Sequence, residues 1–467
     1  MAKPQDGPSG VRWDPLDLEN QKLGTKNHSI SFSLDITIKQ INSGIIEIEF
    51  LFPFWEGGWE PMPAVEIRNN IHWIGVNDHT TDLFEGLWPI TQEGVSYSSY
   101  LVNDQKKAII DLAKSIKVDE FFKRIAEIVN PSQVDYIILN HMEPDHTGVL
   151  RVLRKIVPQA KILCSPKAKD MIQAFYGITD QVQVVQDGEE VQLGELTLQF
   201  FMTPFVHWPE TMMTFEKKSR VLFSCDAFGS YGALRGAIFD DECTDLEFYQ
   251  KQALRYYANI VAKFSTQVLK AIEKLSGIPV EIIAPSHGLI WRKNPSIIID
   301  LYKKWAEYVK TPGEPGITLL YATMYGNTEA LMDSVAQGIS QTGSSLEIFD
   351  VSRIHASYIL ASLWSKSGVI IGAPTYENEL FPSMAHVLDV AIRKGVQHKK
   401  AAYFGSYGWA GGALRELEKQ LALLKWQLTD TLVFQGGPSQ EVLAQGKEFG
   451  RKFAEMVLSG MNSEKNG

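Results

Sequence analysis

Apolar residues recur at every second position through SISFSLDITI, where Ile30, Phe32, Leu34, Ile36 and Ile38 alternate with other residues. IIEIEFLF follows after a turn-like NSG. Successive side chains of a strand point to opposite faces, so a period of two predicts a β-hairpin or strand pair. PFWEGGWEPMP then breaks regular structure with Gly and Pro. Between about 64 and 310 the pattern changes. VDYIILN is a short, mostly apolar run that reads as a buried strand, and LTLQFFMTP and RVLFSCDAF look like two more. EIIAPSHG ends a further strand in a loop that carries a histidine. DEFFKRIAEIV and YYANIVAKFSTQVLKAIEKL carry long helical patterns, and KTPGEPG closes the segment as a linker.

From 317 to 467 one order repeats: strand, loop, helix. ITLLYATMYGNTEALMDSVAQGI, SGVIIGAPTYENELFPSMAHVLDVAI and KKAAYFGSYGWAGGALRELEKQL each follow it. Units of this kind predict a parallel sheet with helices on both faces. Ligands of such folds sit at the carboxyl ends of the strands. The chain is therefore expected to hold an N-terminal extension with a hairpin (1–63) and two α/β domains (64–310 and 317–467).

A length of 467 residues suits two or three domains, and 45% hydrophobic residues suffice for each to bury a core. The net charge of −10 argues against nucleic acid, whose partners usually carry a basic footprint. The three cysteines, Cys164, Cys225 and Cys243, have no CxxC spacing, which argues against an iron–sulfur or rubredoxin-type centre, and so few in so long a chain argue against a disulfide framework. So few cysteines suit a reducing compartment, and a cytoplasmic location is expected. The start, MAKPQDGPSG, lacks the apolar core of a signal peptide, and no apolar stretch is long enough to span a bilayer.

Candidate chemistry gathers at strand ends. LNHMEPDHTG places His141, Glu143, Asp145 and His146 within six positions. A solvated polar loop would account for that string alone. Three further loops change the balance: His207 in TPFVHWPETM, Asp226 in LFSCDAFG and His287 in APSHGLIWR. Four loops after four strands, all offering nitrogen or oxygen donors, point to a site for first-row metals.

The order HxExDH, His, Asp, His resembles that of the metallo-β-lactamase fold. More closely, NHMEPDHTG, HWPETM, LFSCDAFG and PSHGLIWR are similar to the four metal loops of the flavodiiron proteins. Hydrolases of the wider fold usually carry His where this chain has Glu143. A carboxylate makes the site harder and more anionic, which favours iron over zinc. The resemblance implies an αββα sandwich holding two irons. His141, Glu143 and His207 would hold one, Asp145, His146 and His287 the other, with Asp226 bridging.

In the last segment, TMYGNTE lacks the GK of a nucleotide P-loop and the GxGxxG of a dinucleotide site. Hydroxyls of Thr323 and Thr328, Asn327 and the N–H groups of a helix start suit one monophosphate instead. APTYENELFP and GSYGWAGG offer aromatic and small residues where a flat ring could lie. The three loops together resemble flavodoxin, whose ligand is FMN. The implied FMN contacts in the first loop also include Met324, Tyr325 and Gly326. In the second they are Pro374, Thr375, Tyr376 and Asn378. In the third they are Ser406, Tyr407, Gly408, Trp409 and Gly411.

Over about 64–460 the resemblance implies an α/β oxidoreductase: a metallo-β-lactamase-like sandwich followed by a flavodoxin-like doubly wound parallel sheet. It would reduce dioxygen to water, nitric oxide to nitrous oxide, or both, with electrons entering at FMN. It implies a head-to-tail homodimer, or a tetramer of two such dimers, in which the FMN of one chain faces the irons of the other. A separate electron donor is expected: a rubredoxin, a reduced deazaflavin or a flavin reductase. The rival reading is a metallo-β-lactamase-fold hydrolase with an attached flavodoxin domain. Glu143 and the flavin loops argue against it.

Overall fold

The computed structural model describes residues 35–40, 46–51 and 63–464, in two compact units that divide after Glu60. In the first unit, strands Asp35–Gln40 and Ile46–Leu51 pair antiparallel, with Asp35 opposite Leu51 and Gln40 opposite Ile46. A strand pair was expected here; Ile30, Phe32, Leu34 and the NSG turn lie outside the described residues.

The second unit is built on three large sheets. The first has seven strands in the order Val182–Val184, Lys161–Cys164, Val134–Leu139, Lys107–Ile110, Tyr100–Asn103, Ile71–Trp73 and Val65–Arg68. Its first four strands run parallel and the rest antiparallel. The second has five: Glu190–Gln192, Thr197–Met202, Met212–Glu216, Val221–Cys225 and Ile282–Pro285. These two sheets pack face to face. The Tyr100 ring lies 5.0 Å from that of Phe223, and its hydroxyl donates to the Pro285 carbonyl at 2.6 Å. All five residues of Met212–Glu216 and of Val221–Cys225 are buried, so these strands are covered on both faces, polar Thr214, Glu216 and Ser224 included.

The third sheet is wholly parallel, in the order Leu346–Asp350, Glu314–Tyr321, Lys366–Gly372, Lys400–Tyr407 and Gln427–Gln435. In chain order this is 2-1-3-4-5. The direction of travel across the sheet therefore reverses between Glu314–Tyr321 and Lys366–Gly372, where such sheets open a crevice for a ligand. Helix Asn327–Ser340 crosses helix Gln440–Glu464 very closely. A Cβ on Gly338 would lie 1.9 Å from the Lys447 carbonyl oxygen, and one on Gly450 2.1 Å from that of Val335.

Two expectations change. YYANIVAKFSTQVLKAIEKL is not one α-helix. Helix Leu246–Tyr256 passes into a π-turn at Tyr257–Val261 and a 3₁₀ turn at Ala262–Phe264 before Ser265–Leu275 resumes the α-helix. The widened turn lets the Asn259 amide donate to Ser357 Oγ at 2.6 Å and to the Tyr231 hydroxyl at 3.4 Å. Within KTPGEPG, the last three residues already belong to strand Glu314–Tyr321.

Arg255 ends the first of these helices against helix Ala356–Ser365. It pairs with Glu93 at 3.0 Å, donates to Ser357 Oγ at 3.0 Å and to the Pro89 carbonyl, and stacks 3.7 Å from the centre of the Tyr358 ring. Among the described residues, no helix is long and apolar enough to cross a membrane.

Candidate metal centre

Each candidate ligand follows a strand. His141, Glu143, Asp145 and His146 come after Val134–Leu139, the last two on the short turn Pro144–Thr147. His207, Asp226 and His287 follow Thr197–Met202, Val221–Cys225 and Ile282–Pro285 of the other sheet. Turning so sharply off a strand strains the chain: Cys225 and Phe228, flanking Asp226, have φ of 55° and 66°. Gly288 (φ 81°) lets the His287 loop pass Ser230, whose Oγ lies 2.1 Å from where a Cβ would stand.

The seven side chains converge as two sets sharing one member. In the first, His141 Nε2 lies 3.3 Å from Glu143 Oε2 and 3.4 Å from Asp226 Oδ2. His207 Nε2 lies 3.2 and 3.3 Å from the same two oxygens. In the second, His146 Nε2 lies 3.4 Å from Asp145 Oδ1 and 3.0 Å from Asp226 Oδ1. His287 Nε2 lies 3.4 Å from Asp145 Oδ2 and 3.2 Å from Asp226 Oδ1. One oxygen of Asp226 thus faces each set, and each set takes donors from both sheets.

The centre of the site is buried: His141 and His287 are fully buried and Asp226 is 1% exposed. Both oxygens of Asp145 and Asp226, and Nε2 of His146 and His287, are buried without a well-formed hydrogen bond. Buried polar atoms are nearly always satisfied, so this cluster of orphans fits cations held at its centre. Nitrogen and oxygen donors in mixed sets suit a hard to borderline first-row ion.

The electrostatics agree. Burial alone pushes the imidazoles down. The Glu143, Glu210 and Asp226 carboxylates outweigh it and raise His141 to about 10. Asp145 and Asp226 raise His287 to about 10 and His146 to about 9, and Asp226 and Glu143 raise His207 to about 9. Despite their own burial, Asp226 and Glu143 stay well below the usual carboxylate range because imidazoles surround them. The pocket favours positive charge.

Three supporting residues escaped the sequence reading. Glu210 Oε1 accepts His141 Nδ1–H at 2.6 Å and the Met142 N–H at 3.0 Å. The Ser96 carbonyl accepts His287 Nδ1–H at 2.7 Å. Asp111 accepts from the backbone and amide of Asn140 at 2.8 and 3.1 Å and lies 3.5 Å from Ser286 Oγ, so it ties down the residues preceding two of the histidines. The one signal for Glu210 was its place three residues after His207, since imidazole ligands are commonly backed by a carboxylate, yet the histidine it backs is His141.

Of the loop residues expected to hold a flavin, all but Gly326, Asn378 and Gly411 line one cavity of about 400 Å³ at the carboxyl ends of the third sheet, which Glu377 and Gly436 also border. Gly326 instead turns the chain into helix Asn327–Ser340, its N–H bonded to Thr323 Oγ1 at 3.0 Å. Asn378 (φ 65°) turns the hairpin between Thr375–Tyr376 and Glu379–Leu380. Gly411 leads into helix Ala413–Leu424. Thr328 and Ser406 meet at 3.3 Å on the cavity floor. At the rim, Trp409 and Tyr325 are 91% and 87% exposed, an unusual concentration of bare aromatic surface.

Family models match two parts of the chain: ODP family beta lactamase over residues 95–288 and Flavodoxin over 319–450. The anaerobic nitric oxide reductase flavorubredoxin of Escherichia coli O1:K1 / APEC is 35% identical over 397 residues, covering 84% of this chain and 82% of that protein. Among solved structures, the rubredoxin oxygen:oxidoreductase from Desulfovibrio gigas matches with a TM-score of 0.80 at 28% identity, over 85% of this chain and 99% of that one. The flavodiiron protein from Giardia intestinalis matches with a TM-score of 0.81 at 26% identity, over 86% and 98%.

Proposed function

Since the chain belongs to the flavodiiron protein family, with a metallo-β-lactamase-like sandwich followed by a flavodoxin-like sheet, we propose that it reduces dioxygen, nitric oxide or both. Dioxygen takes four electrons and four protons to give two waters. Two nitric oxide molecules take two electrons and two protons to give nitrous oxide and one water. The observation that carries the reading is Asp226, whose two carboxylate oxygens face two matched donor sets.

His141, Glu143 and His207 would hold one iron, and Asp145, His146 and His287 the other, with Asp226 between. The cavity loops would hold FMN, its phosphate by Thr323, Asn327 and Thr328 and its ring beside Tyr376 and Trp409. Held there, iron would supply binding and polarisation of the diatomic, and FMN would supply the electrons. The protein's own share is to fix and shield the donors. Trp208 packs edge-on to His141 with ring centres 5.0 Å apart. Phe84, Tyr97 and Tyr256 stand 5.4, 5.9 and 5.6 Å from the His287 ring and keep water from its far side.

The domains would be 64–310 for iron and 317–467 for FMN, in a cytoplasmic protein fed by a separate donor such as a rubredoxin, a reduced deazaflavin or a flavin reductase. The bare Trp409 and Tyr325 support a second copy over the flavin, in a head-to-tail dimer or a tetramer of dimers. Anaerobic stopped-flow of the reduced protein against dioxygen and nitric oxide, with iron and FMN quantified on the same sample, tests the activity. An iron- and FMN-replete protein inert to both gases would refute it. Mixing an iron-free variant (His207→Ala with His287→Ala) with an FMN-free one tests the dimer. Verified hybrids that stay inactive would exclude transfer between chains.

A further inference from the structure

We infer that Glu210 makes the two metal positions unequal, so that the set of His141, Glu143 and His207 binds its ion more tightly than the set of Asp145, His146 and His287. The inference rests on the two-metal reading above. By donor count the sets match: two imidazoles, one carboxylate of their own and one oxygen of Asp226. What stands behind the imidazoles differs. Behind His141 is a carboxylate, Glu210, at 2.6 Å, and both side chains are fully buried. Behind His287 is a neutral carbonyl, that of Ser96, at 2.7 Å.

Both contacts keep the Nδ1 proton in place and leave Nε2 free for a metal. Of these two partners only Glu210 is charged; Asp111, a further buried carboxylate near the histidines, acts on both His146 and His141 and bonds to Asn140 rather than to either ring. A carboxylate behind an imidazole draws its N–H proton and makes the opposite nitrogen a stronger donor. In a dry interior that charge is poorly screened. Glu210 is well built for this task. It sits between His207 and strand Met212–Glu216, and its backbone carbonyl is held by Ser165 Oγ at 2.6 Å. Its Oε1 takes both His141 and the Met142 N–H, while Oε2 is buried with no partner. A buried carboxylate so sparsely satisfied is costly unless positive charge lies nearby, and His141 with the ion it holds would supply it. Glu210 is thus a positioning residue that acts through His141.

The test uses the full-length protein with FMN retained, stripped of metal and titrated anaerobically with cobalt(II). Binding is followed by d–d absorption and by competition with a chelator of known affinity. The wild type should bind two ions in two resolved steps. Glu210→Gln keeps an acceptor for the Met142 N–H but loses the charge. It should weaken the tighter step by about 10–100-fold and leave the weaker one unchanged. Should Glu210→Gln fail to fold, two variants with Glu210 intact decide the matter. Asp145→Asn with His287→Ala should keep the tighter step. Glu143→Gln with His207→Ala should keep only the weaker. Equal steps in the wild type, the reverse assignment in these variants, or equal weakening of both steps by Glu210→Gln would overturn the inference. Fewer than two cobalt ions per chain at saturation would strike the two-metal reading itself.

Discussion

Replacing Arg255 by Met should loosen helix Ala356–Ser365 from the metal-bearing part of the chain. Arg255 and Glu93 have side chains 4% and 8% exposed and meet at 3.0 Å. Without the guanidinium, the Glu93 carboxylate keeps only the Tyr358 hydroxyl, at 3.2 and 3.4 Å, as a partner among the described residues. Taking one partner from a buried pair costs about 3–5 kcal/mol, because the other charge stays behind unpaired. Ser357 Oγ loses Arg255 but keeps the Asn259 amide at 2.6 Å, so the seam should open locally rather than dissolve. At about 1.4 kcal/mol per factor of ten, amide exchange in helix Ala356–Ser365 should speed up by roughly two to four orders of magnitude. Hydrogen exchange read by mass spectrometry measures this peptide by peptide. The double variant Arg255→Met with Glu93→Gln removes the stranded charge and should recover about 2 kcal/mol of the loss. Exchange within threefold of wild type in the single variant, or a double variant no better than the single, would refute the reasoning.

Asp226→Asn should lower bound iron at both positions, because one neutral amide replaces the oxygens that face both sets; full iron by elemental analysis would count against the shared role. Thr323→Ala with Asn327→Ala should weaken FMN by about 1 kcal/mol or more per lost bond to the phosphate, read by fluorescence titration, while iron content holds. Gly450→Ala puts a methyl 2.1 Å from the Val335 carbonyl oxygen and should cost about 1–3 kcal/mol in the melting of the third-sheet region; an unchanged melt would show that the helices can part freely. Lys399 is fully buried, donating to the Pro312 and Trp364 carbonyls at 2.7 and 3.0 Å, and burial lowers its pKa from 10.5 to about 7. Between those values the unfolded chain holds the extra proton, so this residue's contribution to stability is full above about 10.5 and lost as pH falls through about 7. Lys399→Met should flatten that part of the stability profile, and an unaltered slope would contradict it.

Where the pattern is long and the neighbours are simple, the sequence was readable. Val134–Leu139 and Lys366–Gly372 are apolar runs ending in polar loops, and the loops that follow supply the donors and the cavity. The strands between residues 65 and 110 were missed because every one has two to four residues, too few to build a period. Val95–Tyr97, buried at all three positions, shows no alternation at all. The break at Tyr257 was invisible because YYANIVAKF keeps helical composition while Asn259 reaches for Ser357, a residue 98 positions away. Helix Gln440–Glu464 was overlooked for a related reason. Gly446 and Gly450 look like helix breakers, yet they are where the chain passes within touching distance of Leu331 and Val335. Glu210 was readable as chemistry but not as a partner, since nothing in HWPETM says which way its side chain turns.

Because each donor set draws on both sheets, a bound ion is also a rivet through the sandwich. A ligand that binds only the folded state stabilises it by RT ln(1 + [L]/Kd), about 2.7 kcal/mol at a hundredfold excess over Kd. The unfolded chain keeps four donors together at residues 141–146 but parts them from His207, Asp226 and His287, so neither complete set survives there. Iron supply would then govern how long the protein lasts as well as whether it works. A cell short of iron would lose the chain to unfolding and proteolysis, and the FMN it carries would be freed with it.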